Sequence, residues 1–289
     1  PSGMDVQNYP PEAEATAAPV AAEPIIENTF ANLVPIPQLV EALHELGLRI
    51  PTPVQVAALP VSLTGGDVVV QAPTGSGKTL AFAIPLLVKI HNLSEELRQD
   101  YKEKGETYAL VLTPTRELAQ QITTVVTALK TPVAPTTVIG GESFSSQEGS
   151  LSKDSLVVIG TPGRVLDLVK QKKLRLKRCR YFVLDEADEM LSRGFLEDVR
   201  AILSRLPDER QGLFVSATIS PRVEMLAESF LTKYQRVDAG KSDDADTSTV
   251  EHLYCEVGGE LMAKPSALCD IIETFRPPSA IIFCNTKSD

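Results

Sequence analysis

At 289 residues the chain is long enough for one complete α/β domain and part of another. Its 43% hydrophobic share is that of an ordinary globular protein, and no apolar run approaches the ~20 residues of a membrane-spanning helix, which excludes such a span. A formal net charge of −10 argues against broad electrostatic attraction to nucleic acid, though not against a local basic strip.

Pro1-Ser2-Gly3 ahead of Met4 reads as a cloning remnant. Up to about Glu23 the sequence is Pro, Ala and Glu with few large apolar residues, so residues 1–24 are expected to be disordered. With no Lys or Arg before Arg49, neither a secretory nor a mitochondrial leader fits. A folded domain is expected over 25–238, with recognisable pattern from Phe30. Pro37 to Leu46 carries apolar residues at helical spacing and stops at Gly47. Pro51-Thr52-Pro53-Val54-Gln55 then sets a rigid turn that presents Gln55 at the start of a second helix, Val56–Leu63. A glutamine amide can pair with N6 and N7 of adenine. Taken alone, the pentad favours the plainer alternative, a solvent-facing glutamine after a turn.

Next comes the apolar run Val68-Val69-Val70, the loop Ala72-Pro73-Thr74-Gly75-Ser76-Gly77-Lys78-Thr79, and an apolar helix beginning Leu80-Ala81-Phe82. Strand, glycine loop and helix in this order make an anion cradle. The glycines let several backbone N–H groups converge, and the helix N-terminus adds its positive field. Lys78 can reach the outer phosphates and the Thr79 hydroxyl can ligate Mg²⁺. Ala72 stands where such loops usually begin with glycine. The stretch reads as a nucleoside-triphosphate site, with Thr74, Gly75, Ser76 and Gly77 wrapping the phosphates.

Further apolar runs of strand length alternate with helical patterns. Strands are predicted at Ala109–Leu112, Thr137–Ile139, Leu156–Ile159, Tyr181–Leu184 and Gly212–Val215, and helices at Glu117–Leu129, Gly163–Lys170, Leu196–Leu206 and Arg222–Phe230. This is the pattern of an α/β fold, a parallel sheet covered on both faces. His91 to Glu106, polar and charged, reads as a surface excursion. Residues 239–250 form a polar, acidic linker. Beyond it, 251–289 begins a second α/β domain, incomplete here, with strands at His252–Val257 and Ala280–Cys284 and a helix at Ala263–Phe275. Cys179, Cys255, Cys269 and Cys284 form no paired motif, and His44, His91 and His252 are far apart. Reduced thiols in a cytoplasmic protein fit better than structural zinc.

The strand at Tyr181 runs into Asp185-Glu186-Ala187-Asp188. A carboxylate at a strand tip can hold the Mg²⁺ that bridges two phosphates, a role assigned to Asp185. Glu186 can orient and deprotonate an attacking water. The plain alternative is an acidic helix N-terminus. It loses in a chain that already holds Gly-Ser-Gly-Lys-Thr.

Asp185-Glu186-Ala187-Asp188 with Ser216-Ala217-Thr218 after it resembles the DEAD-box family of ATP-dependent RNA helicases. Pro51 to Gln55 resembles the family's adenine-reading motif, which places Pro53 and Gln55 at the base, and Phe30 sits where the family has a base-stacking aromatic. Pro114-Thr115-Arg116-Glu117-Leu118-Ala119, Gly140-Gly141 and Thr161-Pro162-Gly163-Arg164 resemble its RNA-contacting motifs. Met190 to Phe195 also fits, and Ile281 to Asn285 resembles the first motif of the family's second domain. The match covers roughly Phe30 to Asp238 in order and spacing.

The resemblance implies a RecA-like sheet, with ATP and Mg²⁺ as cofactors. Its implied partner is RNA, gripped by its backbone through Pro114, Thr115, Arg116, Gly140, Gly141, Thr161, Gly163 and Arg164. Physically, Gly140, Gly141 and Gly163 follow strand ends where exposed N–H groups suit phosphate oxygens, and such contacts read no base sequence. The resemblance further implies that Ser216 and Thr218 link Asp188 to RNA-dependent closure. A monomer is expected. So is slow hydrolysis by these residues alone, because the family's second domain brings arginines worth about 10³–10⁵ in rate. An ATP-dependent RNA clamp or assembly platform is the alternative to a helicase. A DNA translocase is disfavoured by Pro-Thr-Pro-Val-Gln together with Asp-Glu-Ala-Asp.

Overall fold

The computed structural model describes residues 29–130, 132–141, 156–239, 253–258 and 263–284. The chain divides into two units, Pro1–Gly240 and Lys241–Asp289. The predicted disordered lead-in and most of the predicted linker lie outside the described residues.

The first unit opens with helices α1 (Phe30–Leu33), α2 (Pro37–Glu45) and α3 (Pro53–Leu63). Gly47, at φ 78°, ends α2: its own N–H and that of Leu48 return to the carbonyls of His44 and Leu43, both at 2.9 Å. Strand β1 (Val68–Gln71) leads to α4 (Lys78–His91), α5 (Glu95–Lys104), β2 (Ala109–Leu112), α6 (Arg116–Ala128), β3 (Thr136–Val138) and β4 (Val157–Gly160). Then follow α7 (Pro162–Lys170), β5 (Tyr181–Asp185), α8 (Ala187–Ser192), α9 (Leu196–Leu203), β6 (Gln211–Ser216), α10 (Pro221–Phe230) and β7 (Gln235–Asp238).

The strands form one sheet in the order β3-β4-β2-β5-β6-β1-β7, every neighbouring pair parallel. Near-continuous apolar runs suit this sheet because successive side chains point to opposite faces and both faces are covered. Tyr181 and Val183 join one core with Phe82, Ile84, Ile122 and Val126, whereas Phe182 and Leu184 join the other with Leu168, Val199, Ile202 and Leu226. With parallel strands all the carboxyl ends share one edge. The chain leaves β1 and crosses β6 and β5 to reach β2, and ligands bind at that edge in such sheets.

Helices α1, α5 and α8 and strand β7 were not among the predicted elements, α8 entering only as the plain alternative for the acidic tetrad. Helix α5 occupies the predicted surface excursion, capped where the Ser94 hydroxyl accepts from the Leu97 amide and braced by Arg98–Glu95 and Lys104–Asp100 pairs. Strand β7 pairs with the outer side of β1 with only Val237 buried, so it lacked an apolar run to announce it.

In the second unit, α11 (Ala263–Phe275) is where the periodicity predicted a helix. The strands expected at His252–Val257 and Ala280–Cys284 are not formed: residues 253–258 and 280–284 carry no strand. A strand holds only when a neighbour takes its N–H and C=O groups. No described residue pairs with these segments, and Leu253, Tyr254, Ile281 and Phe283 are exposed.

Candidate functional site

The glycine loop bridges β1 and α4 through two left-handed residues, Gly75 at φ 81° and Gly77 at φ 89°. Both conformations are open to glycine and costly for other residues. The loop starts against the sheet, where the Ala72 amide donates to the Ser216 carbonyl at 3.0 Å. Strand β6 lies between β1 and β5, with Gln71 level with Ser216 and Asp185 level with Val215. The lysine loop and the acidic strand tip therefore flank the same end of one strand.

Lys78 is only 7% exposed, and its Nζ is buried with no hydrogen-bond partner. A buried ammonium without a partner is costly, so the site is built for an anion. Ser76 Oγ is likewise buried and unpartnered on the same loop. Asp185 is 3% exposed, and burial pushes its carboxyl up to about 7 against the pull of the Lys78 ammonium. Glu186 and Asp188 add smaller upward pushes. A buried carboxyl raised in this way is one a divalent cation would relieve. These donors, with the Thr79 hydroxyl at the second position of α4, fit a magnesium-bound triphosphate: an unpaired cation for the phosphates and a buried carboxylate for the metal.

Glu186 has the left-handed φ of 52°, which turns the chain from β5 into α8, and its amide donates to Asp185 Oδ1 at 3.1 Å. Its side chain lines a cavity of about 600 Å³ together with Thr74, Asp188, Thr218, Arg193 and Arg222. Asp188 is tied to the tip of β6. The Asp188 amide donates to Ser216 Oγ at 3.1 Å, and Asp188 Oδ2 accepts from the Thr218 amide and hydroxyl at 2.9 and 2.7 Å. The Ser216 hydroxyl in turn donates to the Thr218 carbonyl at 2.8 Å. Burial raises the Asp188 carboxyl, but these hydrogen bonds outweigh it and leave the pKa below the usual value.

The eight residues with RNA-type spacing also come together. Pro114, Thr115, Arg116, Gly140, Thr161 and Gly163 line a second cavity of about 380 Å³, and Arg164 completes that wall. Gly141, at φ 89°, lies under the Arg116 guanidinium so closely that a Cβ there would overlap it. Part of Thr115 is already committed, since its hydroxyl accepts from the Leu118 amide at 3.2 Å to cap α6.

Two base-site expectations differ from the structure. Gln55 does not face solvent or an open base pocket: it is 2% exposed, its Oε1 accepts from the Thr52 amide at 2.9 Å, and its Nε2 donates to the Gly77 carbonyl at 3.0 Å. Each half of the amide makes one bond to the backbone, tying the start of α3 to the glycine loop. Phe30 is 1% exposed and sits in the core near Val34, Leu39 and Leu43 rather than at the surface, where burial of a large apolar ring is worth most. Pro53 is exposed at the first turn of α3. Residues without an assigned role also line the cavities. Arg193 borders both and pairs with Glu189 at 2.7 Å, and Phe195 borders the second. Their place two and four residues past Leu191, within the stretch after the acidic tetrad, was the available signal.

A doubly covered parallel sheet with a glycine-lysine loop and an acidic tip at one edge defines a RecA-like nucleotide-binding domain. The sequence matches the DEAD/DEAH box helicase family over residues 52–226. The chain belongs to that family. It is 39% identical over 264 residues to the RNA helicase CrhR of Synechocystis sp., covering 91% of this chain and 51% of that protein. It is 40% identical over 260 residues to the ATP-dependent RNA helicase DbpA of Bacillus subtilis, covering 89% and 52%. The chain thus spans about half the length of these curated relatives. A crystal structure of a DEAD box protein from the hyperthermophile Methanococcus jannaschii superposes with a TM-score of 0.66 and 32% identity, covering 90% of this chain and 67% of that one. No helix among the described residues is long and apolar enough to cross a membrane.

Proposed function

We propose that the chain is the nucleotide-binding half of an ATP-dependent RNA helicase, and that it couples ATP held at the β1 and β5 tips to RNA held beside β2, β3 and β4. The observation that carries this reading is the buried, unpartnered Lys78 Nζ whose field reaches the buried Asp185 carboxyl. Lys78 and the loop amides of Thr74 to Thr79 hold the phosphates, and Thr79 and Asp185 hold the metal. When bound, Mg²⁺ offsets the negative charge of the phosphate oxygens. Glu186 orients the attacking water and accepts its proton. Asp188, through Ser216 and Thr218, passes the state of that site to the loop after β6.

RNA enters as backbone. Arg116 and Arg164 supply charge, Thr115 and Thr161 hydroxyls, and Pro114, Gly140, Gly141 and Gly163 a close approach to phosphate and sugar. Beyond its two backbone partners the Gln55 amide keeps one N–H and one oxygen lone pair, so in this reading it can meet adenine while still tying α3 to the loop. Because the chain covers half the length of its relatives, strand separation belongs to the longer protein, and these residues alone turn ATP over slowly. The test is phosphate release by the 289-residue chain with and without RNA. Measurable nucleotide affinity with little RNA-stimulated turnover supports the reading, and fast RNA-stimulated turnover by this chain alone contradicts it.

A further inference from the structure

The nucleotide and RNA readings use only the carboxyl edge of the sheet. At the opposite, amino-terminal edge, the connection from α7 to β5 carries a charge pattern that neither reading absorbs. From Lys170 to Arg180, seven of eleven residues are Lys or Arg and none is acidic, in a chain whose formal charge is −10. Two of the seven pair with carboxylates of the described residues: Arg178 bridges Asp100 and Glu106, and Arg180 pairs with Glu209.

Four others, Lys170, Lys172, Arg175 and Lys177, line a groove of about 750 Å³, and Arg205 joins them from the segment after α9. All five are exposed, and none has a carboxylate partner among the described residues. The acid on the groove wall, Glu106, is engaged by Arg178 Nε at 3.2 Å. Helix ends explain part of this cluster, since Lys170 closes α7 and Arg205 follows α9, where cations are favoured. Arg175 likewise donates to the carbonyl of Lys104, the last residue of α5, at 3.0 Å, whereas Lys172 and Lys177 lie on the connecting loop and have no such account.

A concave site lined by one sign of charge concentrates ions of the other sign. An acidic peptide and a phosphate backbone both carry that sign, and the groove floor separates them. Its leucines, Leu174 and Leu176, are 2% and 3% exposed, so they offer almost no apolar area for peptide side chains. What the groove presents is cationic tips on their own alkyl stems, beside the half-buried Val169; a phosphate backbone needs only the tips, and in the proposed function this domain already holds RNA by its backbone. We infer that it is a second RNA-binding surface, gripping the phosphate backbone of strand that extends beyond the segment held at the carboxyl edge. This rests on the proposed RNA function. It adds a tethering surface, electrostatic and indifferent to base sequence.

The test compares the chain with a Lys172→Gln/Lys177→Gln variant by fluorescence anisotropy, using a single-stranded hexanucleotide, a long single-stranded RNA and polyglutamate over a salt series. An Arg116→Ala/Arg164→Ala variant is the control for the carboxyl edge. The groove variant is expected to bind the long RNA roughly tenfold more weakly at low salt. Removing two phosphate contacts should also flatten the log–log salt slope by about 1.4. Its hexanucleotide affinity, nucleotide affinity and Tm should stay unchanged. Equal long-RNA affinity and slope in groove variant and parent would overturn the inference. So would polyglutamate binding that needs Lys172 and Lys177 while long RNA binding does not. Failure of the RNA reading itself looks different: the parent and both variants would all bind RNA negligibly, which would remove the groove's ligand as well.

Discussion

Thr218 holds the Asp188 carboxylate twice over: Asp188 Oδ2 accepts from the Thr218 amide at 2.9 Å and from its hydroxyl at 2.7 Å. Thr218→Val removes the hydroxyl and keeps the shape. A hydrogen bond to a charged acceptor is worth about 1.5–3 kcal/mol, less here because Thr218 is exposed. Urea unfolding should show a small loss. Nucleotide affinity should be nearly unchanged, whereas in the longer protein RNA should stimulate ATP hydrolysis less. Undiminished stimulation would detach this pair from coupling.

Gln55 is the joint between α3 and the glycine loop. Gln55→Ala strands the Gly77 carbonyl and the Thr52 amide, at about 1–3 kcal/mol for each buried group that water cannot reach. The variant should melt measurably lower, and its preference for adenine over guanine nucleotides should erode. Gly77→Ala attacks the same joint from the other side, since the new Cβ would lie 2.6 Å from Gln55 Nε2 at a φ of 89°. It should lose nucleotide binding more completely than Gln55→Ala does.

The raised Asp185 carboxyl gives a pH signature. Its pKa goes from an ordinary 3.8 to about 7 in the folded chain, so between those values the folded state binds the extra proton. Metal-free stability is then greatest at the acid end of that window and falls as pH rises toward about 7. Asp185→Asn should flatten this fall in thermal melts taken without divalent cations. Conversely, Mg²⁺ competes with that proton, so magnesium-dependent nucleotide affinity should strengthen as pH climbs through the same window.

Gly141→Ala tests the second cavity. The added methyl displaces the Arg116 guanidinium and strains a left-handed residue. Gly141 is exposed, so the fold should survive and affinity for short RNA should fall. Intact RNA affinity would remove the Gly140-Gly141 turn from the backbone contacts.

Much of this arrangement was legible because parallel strands covered on both faces need unbroken apolar runs, as at Ala109–Leu112 and Tyr181–Asp185. Glycine, lysine and acid placed at strand tips then marked the working edge. Helix α5 was not legible, because it buries little beyond Tyr101 and is held by caps and ion pairs rather than an apolar stripe. The strand-like composition of residues 280–284 misled for the opposite reason: propensity without a pairing neighbour makes no strand. Nor could composition show that Gln55 spends its amide on the Gly77 carbonyl and that Phe30 turns inward, since both depend on which surfaces meet after folding.

The direct test of the central claim, that Lys78 and Asp185 serve one magnesium-bound triphosphate, is calorimetric titration of ATP with and without Mg²⁺. It would compare the parent chain with Lys78→Ala and Asp185→Asn. The account predicts that Lys78→Ala abolishes binding in both conditions. Asp185→Asn should retain the metal-free affinity but lose the gain that Mg²⁺ confers on the parent. An undiminished magnesium effect in Asp185→Asn, or unchanged affinity in Lys78→Ala, would contradict it.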